Sequence, residues 1–514
     1  MARRLAIPAG VVLLALLLRA WHLEALPAGL HGDEAVTGLD ARRALAEGWI
    51  GPYLYPSALG QPAGPVYLTA LVFALLGESA FALRLSMALF AAAAVGFTWL
   101  AAKAMFGRRV ALLAALLLAI QPWHLHLGRI AFMVNAWPCV EMAALWLLFR
   151  ARRLGGVGRW LLCGAVAGLG VYTYNAFALS LPVLATPVLC DLWRPPTGTT
   201  RRRVLALGAA AALAALIVAL PMIDYARTHE EYFWHQEEVA VVHSPAWRDA
   251  SWPERAAQLA ARAGEWGRGV AFGGRPDDGD GLGDHAYPLL DPLGGLAALL
   301  GAAMALRRWR QPAHATLLVG LLVLPFGALL TIEDGLFRRT YGLAPLLAIL
   351  GALPLAALWR RASGREAAFG RAILAVLAVA LLGAGIRNAY RYFVPLQATE
   401  QMRYVFPPEL DAAGRYIAGL PPDSAVFWYS DRWPADYATL RWWAPTATVI
   451  ERSPPFGGPT EAEGRPLLAA DSDRQSVFVL LGEYGVLSEE LLRRHPGAIA
   501  VEQTTSFRAV RVVP

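Results

Sequence analysis

Charge is scarce in this chain, and so are lysine and cysteine. Only 17% of its 514 residues are Asp, Glu, Lys or Arg, against 57% hydrophobic and a mean hydropathy of +0.42. Its apolar runs are too many and too long for a soluble core. All but one of the 46 basic residues are arginine, Lys103 being the exception, and the formal net charge is +7. These cations do not gather on one face, as a nucleic-acid surface would require, so no nucleic-acid partner is expected. The three cysteines, Cys139, Cys163 and Cys190, all fall inside apolar runs. That placement argues against a disulfide framework and makes them packing residues.

What is present is a succession of apolar segments separated by short arginine-rich stretches, the pattern of a multi-span membrane protein. Ala2-Arg3-Arg4 and the run behind it have the outline of a signal peptide. The run continues towards Trp21 and many spans follow, so an uncleaved first span is expected. Arg3 and Arg4 hold the N-terminus in the cytoplasm. Further inner clusters are Lys103 with Arg108 and Arg109, Arg150 to Arg159, Arg194 to Arg203, Arg307 to Arg310, and Arg360 to Arg371. Two apolar stretches, 65–76 and 81–102, lie between the first two clusters, and only one can cross. The shorter is assigned to a helix lying at the outer interface. Later spans fall near 109–121, 136–150, 159–175, 177–193, 204–221, 289–306, 313–331, 338–359 and 371–388, giving about eleven in all with the C-terminus outside.

The outer loops are then 22–80, 122–135 and 222–288, with a turn from Glu333 to Arg339. Aromatic residues such as Trp21, Trp49, Trp123 and Trp137 fall at the same level, as an interfacial belt would. After Tyr390 the long apolar runs end. Residues 1–395 read as a transmembrane domain and 396–514 as a small α/β domain on the outer side. Strands are expected at 424–429, 476–481 and 508–513, and helices at 409–420 and 488–494. This part has no nucleotide-binding glycine fingerprint and no nucleophile elbow, so structural support or acceptor docking is its expected role.

Charge not explained by orientation collects on the outer side, and its most informative element is Asp33-Glu34, just past the first span. Carboxylates so close to a hydrophobic segment are costly to place and mark a task. Acids here could also cap a helix over 35–47. His124 and His126 are spaced as two ligands of a divalent metal would be, but no third ligand is evident unless His31 or His285 approaches, so no metal ligands are assigned. No other cofactor is implied. Tyr172 and Tyr174 suit the aromatic belt, and Glu237, Glu238 and His243 a solvated lid.

Several motifs in order resemble membrane glycosyltransferases of the GT-C type. The resemblance is to family 39, the group of the protein O-mannosyltransferases and the lipid A aminoarabinose transferase. The carrying residues are Gly32-Asp33-Glu34-Ala35, Gly60 to Tyr67, Arg84 to Gly107, His126-Leu127-Gly128-Arg129, Gly168 to Asn175, and Gly283-Asp284-His285 leading into Pro292. It covers about the first 360 residues of the chain. It implies transfer of a sugar from a polyprenyl-phosphate donor to an acceptor hydroxyl (protein, lipid or glycan) outside the cytoplasmic membrane, with inversion.

Such chemistry needs a carboxylate base for the attacking hydroxyl and fixed cations for the departing phosphate. Asp33 is the expected base, with Glu34 either acting beside it or turned away to anchor the loop. Arg129, Arg338 and Arg339 are the expected donor-phosphate ligands, because a guanidinium grips phosphate oxygens in bidentate fashion. His31, Gln61, Tyr67, His126, Tyr174, Asn175 and His285 are the expected substrate contacts. Gln61 and Asn175 stand where relatives carry lysine, and Asn135 where a second acid is expected. Either donor binding relies on other cations or the donor's phosphate chemistry differs, and close functional identity with either named member is not implied. Rival classes are a lipid-linked glycan polymerase or ligase, a silent carrier-lipid binder, and a lipid or sugar transporter. The last would show internal repeats and mid-membrane ionisable groups.

Overall fold

In the computed structural model the described residues are 2–55, 57, 60–232, 239–272, 287–332, 337–363, 367–461, 466–503 and 507–513. They form two compact units. One joins Met1–Glu24 to Ala41–Met402; the other joins Ala25–Asp40 to Arg403–Pro514. The loop-one stretch that carries Asp33-Glu34 thus groups with the C-terminal residues.

The first unit is helical. Among the described residues, six helical stretches are long and apolar enough to cross a membrane: Ala80–Phe106, Asn175–Trp193, Arg201–Thr228, Pro312–Leu329, Leu343–Ser363 and Ala368–Ala398. Ala6–Ala20, Gly64–Leu76, Val157–Tyr172 and Pro292–Arg307 are shorter apolar helices. Local chemistry sets several starts. Ser79 Oγ accepts from Ala82 N at 3.0 Å, and Asp291 Oδ1 accepts from Leu293 N and Gly294 N at 3.1 Å each, ahead of Pro292.

Small residues decide which helices meet. Gly164 and Gly168, four apart, lie against the backbone of Ala211 and Ala215, and Gly301 against the carbonyl of Leu350. Any side chain there would drive the backbones apart, which is how helices associate where lipid removes the hydrophobic drive. Arg152 and Asp191 add a bidentate ion pair at 2.7 and 2.6 Å. Loop one contributes a two-stranded hairpin, β1 (Tyr53–Leu54) and β2 (Gln61–Pro62).

The second unit is a five-stranded sheet in the order β4-β3-β5-β7-β6, with β3 at Ala425–Tyr429, β4 at Val449–Glu451, β5 at Ser476–Leu480, β6 at Ile499–Gln503 and β7 at Arg508–Val512. β4 and β5 run parallel to β3, β7 pairs antiparallel with β5, and β6 pairs antiparallel with β7. β3 and β5 are buried along their length because both sheet faces are covered. Val426, Trp428, Val477 and Val479 pack with Leu410, Ala413 and Ile417 of the helix Pro408–Ala418. Phe427, Tyr429, Phe478 and Leu480 pack with Leu491 of the helix Leu487–Arg494. β4 and β6 had no expectation from sequence; the three half-buried residues of β4 are too short for a pattern. The helix Ala438–Trp443 was likewise not foreseen.

Candidate active site

The helix that carries the carboxylates begins at Gly32, three residues before the expected 35, so both acids lie in its first turn. His31 is the N-cap. Its Nδ1 accepts from Asp33 N at 2.9 Å, and Glu34 Oε2 accepts from His31 N at 3.1 Å. This is a variant of the capping box, with histidine in the place of serine and its ring serving the second amide of the helix in place of the third. Because Nδ1 accepts, the ring's proton belongs on Nε2. The neighbours are thereby divided in role. Glu34 is fully buried and committed to the helix start, whereas the Asp33 side chain keeps 41% of its surface exposed.

The second unit grips this strip closely. Leu30 N donates to Asp411 Oδ1 at 3.0 Å, and Thr439 Oγ1 donates to Leu30 O at 3.1 Å. Gly29 lies against the backbone of Phe406 and Pro407, and Gly38 against the Trp442 ring, so neither position has room for a methyl. Tyr437 closes the set. A Cβ on Gly32 would lie 2.5 Å from its hydroxyl oxygen. Burial, and then the charge of Asp33, push the Tyr437 phenol above its ordinary range, while Arg432 pulls the other way. Arg432 is itself fixed, stacked on Tyr404 and Trp433 and donating to Tyr404 O at 3.0 Å.

Loop two, in the first unit, is held by two arginines in reciprocal fashion. Arg19 donates to Ala15 O and Ala119 O and meets His124 Nδ1 at 2.5 Å. Arg129 reaches back to Leu18 O at 3.1 Å and Arg19 O at 2.8 Å, and its guanidinium stacks on Tyr392 and Phe393. Carbonyls freed where the first helix ends are thus satisfied by loop two. Asn135 Nδ2 gathers the carbonyls of Leu127, Ile130 and Phe132, and His126 Nδ1 lies 3.4 Å from the Tyr392 hydroxyl. Burial first, and then Arg19, keep His124 well below the usual histidine range. A ring pressed against a guanidinium does not suit a second cation, and among the described residues no three His, Cys, Asp or Glu side chains converge for a metal.

The remaining expected residues are dispersed through the first unit. Arg338 lies over the Phe132 ring of loop two at 5.2 Å, and Arg339 donates to Thr331 Oγ1 at 2.9 Å; both are half-buried. Tyr67 pins a loop-one turn, donating to Gly51 O at 2.7 Å and stacking on Trp49. Gln61 sits in β2, Tyr174 stacks on Trp137, and Asn175 opens a short 3-10 helix. His285, Asp284, Glu237, Glu238 and the turn 333–336 lie outside the described residues.

Tyr437, Arg432 and Asp411 escaped sequence reasoning because nothing local ties them to residue 33. Glu141 escaped it too. Fully buried in the helix Ala136–Leu154, its carboxyl lies against Gly342. One acid inside an apolar run was the available signal.

Comparison with known proteins agrees with this architecture. Residues 60–223 match the family described as dolichyl-phosphate-mannose-protein mannosyltransferase. An undecaprenyl phosphate-alpha-4-amino-4-deoxy-L-arabinose arabinosyl transferase of Pseudomonas aeruginosa is 31% identical over 206 residues, covering 37% of this chain and 35% of the relative. One from Edwardsiella ictaluri is 29% identical, covering 44% and 42%. The match thus spans well under half the length of these relatives. Among solved structures, ArnT from Cupriavidus metallidurans bound to undecaprenyl phosphate aligns with a TM-score of 0.60 at 14% identity, over 99% of this chain and 97% of that one. The archaeal oligosaccharyltransferase AglB from Archaeoglobus fulgidus aligns at 0.57 and 15% identity, over 87% and 64%. The chain therefore has the fold of these membrane glycosyltransferases, and over residues 60–223 its sequence resembles that of the mannosyltransferase family.

Proposed function

We propose that this chain is an integral-membrane glycosyltransferase that moves a sugar, with a pentose the first to test, from a polyprenyl-phosphate donor to an acceptor hydroxyl. The reaction takes place on the outer face of the cytoplasmic membrane and inverts the anomeric centre. The observation that carries this reading is the division of labour at residues 33 and 34. One carboxylate is locked into a helix cap and the other is left partly exposed at the same helix start. The likeness to arabinosyl transferases supplies the donor class.

In this reading Asp33 accepts the proton of the acceptor hydroxyl as its oxygen attacks the anomeric carbon. The bond from that carbon to the phosphate oxygen breaks, and the polyprenyl phosphate leaves with its electron pair. Arg338 and Arg339 are the cations proposed for that phosphate, whereas Arg129 serves backbone carbonyls. His126, Tyr174 and Asn175 remain proposed sugar or carrier contacts. The arginine-rich helix ends support a topology that puts residue 33 outside.

A panel of radiolabelled polyprenyl-phosphate sugars, incubated with membranes containing the full chain, tests the proposal. Label should pass to an acceptor with wild-type protein and not with Asp33→Asn, which should still bind donor. Undiminished transfer by Asp33→Asn, or labelling of residue 33 from the cytoplasmic side, would overturn it. The AglB likeness favours one alternative, transfer of a longer lipid-linked glycan. A mass shift larger than one sugar on the acceptor would identify it.

A further inference from the structure

We infer that Tyr437 is a positioning residue for the Asp33 carboxylate, so that the C-terminal α/β unit is part of the reaction site. The inference rests on Asp33 being the base. It goes further by assigning a task to a domain otherwise read as support.

Geometry carries the argument. Tyr437 directly precedes the helix Ala438–Trp443, and that helix is fastened to the same strip that bears Asp33. Thr439 holds the Leu30 carbonyl, and Trp442 lies under Gly38. With anchors on both sides, the phenol cannot drift from residue 32. Glycine at 32 is what admits it, since a methyl would sit 2.5 Å from the hydroxyl oxygen and 3.0 Å from the ring carbon bearing it.

Pressed against Gly32, the residue that precedes Asp33, the phenol sits in the field of that carboxylate, and in the role inferred here it donates a hydrogen bond to it. Such a bond fixes the carboxylate's rotamer and leaves its other oxygen to receive the acceptor's proton. The groups around the pair have their own partners: Glu34 and His31 are engaged in the helix cap, and Arg432 lies between Tyr404 and Trp433. No proton leaves Tyr437 in the cycle. Its effect passes through Asp33.

The test uses the full-length protein and whichever polyprenyl-phosphate sugar from the panel the wild type consumes. Tyr437→Phe should lower kcat about ten- to hundredfold, the range supported by one hydrogen bond to a charged group. The donor KM and the melting temperature should stay near wild type. Gly32→Ala, which keeps the phenol but displaces it, should give the same signature without removing any packing. In an Asp33→Asn background, adding Tyr437→Phe should lower the residual rate no further. Wild-type kcat in both Tyr437→Phe and Gly32→Ala overturns the inference, as does an equal loss when Tyr437→Phe is added to Asp33→Asn. Full turnover by Asp33→Asn alone is a separate result and overturns the assignment of the base.

Discussion

The backbone amide of Leu30 donates to the Asp411 carboxylate at 3.0 Å, although 381 positions of chain separate them. A buried amide given an ionised acceptor is held more strongly than by a neutral one. This bond fixes the entry to the helix that carries Asp33. Asp411→Ala should cost about 1–3 kcal/mol locally. Faster hydrogen exchange over residues 25–40, with lost transfer activity and an intact sheet core, is the expected result. Gly29→Ala should give a similar pattern by overpacking against the Pro407 backbone, at about 1–3 kcal/mol.

The two adjacent acids should respond differently to the same conservative change. Asp33→Asn removes the proton acceptor and should reduce kcat by at least about a hundredfold. Glu34→Gln keeps an oxygen for the His31 amide, so it should retain transfer. Glu34→Ala loses the cap, at about 0.5–2 kcal/mol. Side-by-side kinetics and thermal melts decide this, and a Glu34→Gln as inactive as Asp33→Asn would give Glu34 a chemical role.

The arginines should likewise separate into two kinds. Arg129→Ala strips hydrogen bonds from the end of the first helix, so it should lower stability by roughly 2 kcal/mol or more. Protein that does fold should keep its donor KM. Arg338→Gln should leave the melt unchanged and raise donor KM roughly tenfold, the worth of one charged contact. Binding assays with polyprenyl phosphate would read both, and unchanged affinity in Arg338→Gln would remove it from the site.

Acid should loosen loop two. Burial and Arg19 hold His124 below its ordinary range in the folded state, so the unfolded chain binds the extra proton first. Stability from this group is therefore full above the unfolded histidine value of about 6.5 and lost as pH falls below it, by up to about 1.4 kcal/mol per pH unit. Melting temperatures of wild type and His124→Asn, followed from pH 7 downwards, should converge in acid. A parallel decline would show that His124 does not contribute.

Much of the helical unit was legible in the sequence. The starts of Ala136–Leu154, Val157–Gly168 and Arg201–Thr228 lie within a few residues of expectation, because length and apolarity alone define such segments. The β3, β5 and β7 segments were legible for a related reason, as short apolar runs between turn residues. Asp33 could be singled out for its position after the first span. The distinct fates of Asp33 and Glu34 could not, since they depend on where the helix starts and which way each side chain turns. Arg129 could be read as a phosphate ligand or an anchor because the motif names the residue and not its partners.

The sequence by itself determined that this chain belongs in a bilayer, where most of its apolar helices lie, and that an acidic pair follows the first of them. Hydropathy and charge act along the chain, and a linear reading captures them. Only the tertiary structure decided that Glu34 closes a cap, that Arg19 and Arg129 clasp loop two, and that Tyr437 reaches Gly32. The cap turns on how neighbouring side chains orient, and the other two on atoms a hundred or more positions apart that approach closely; such short-range packing and hydrogen bonding leave no periodic trace in the order of residues.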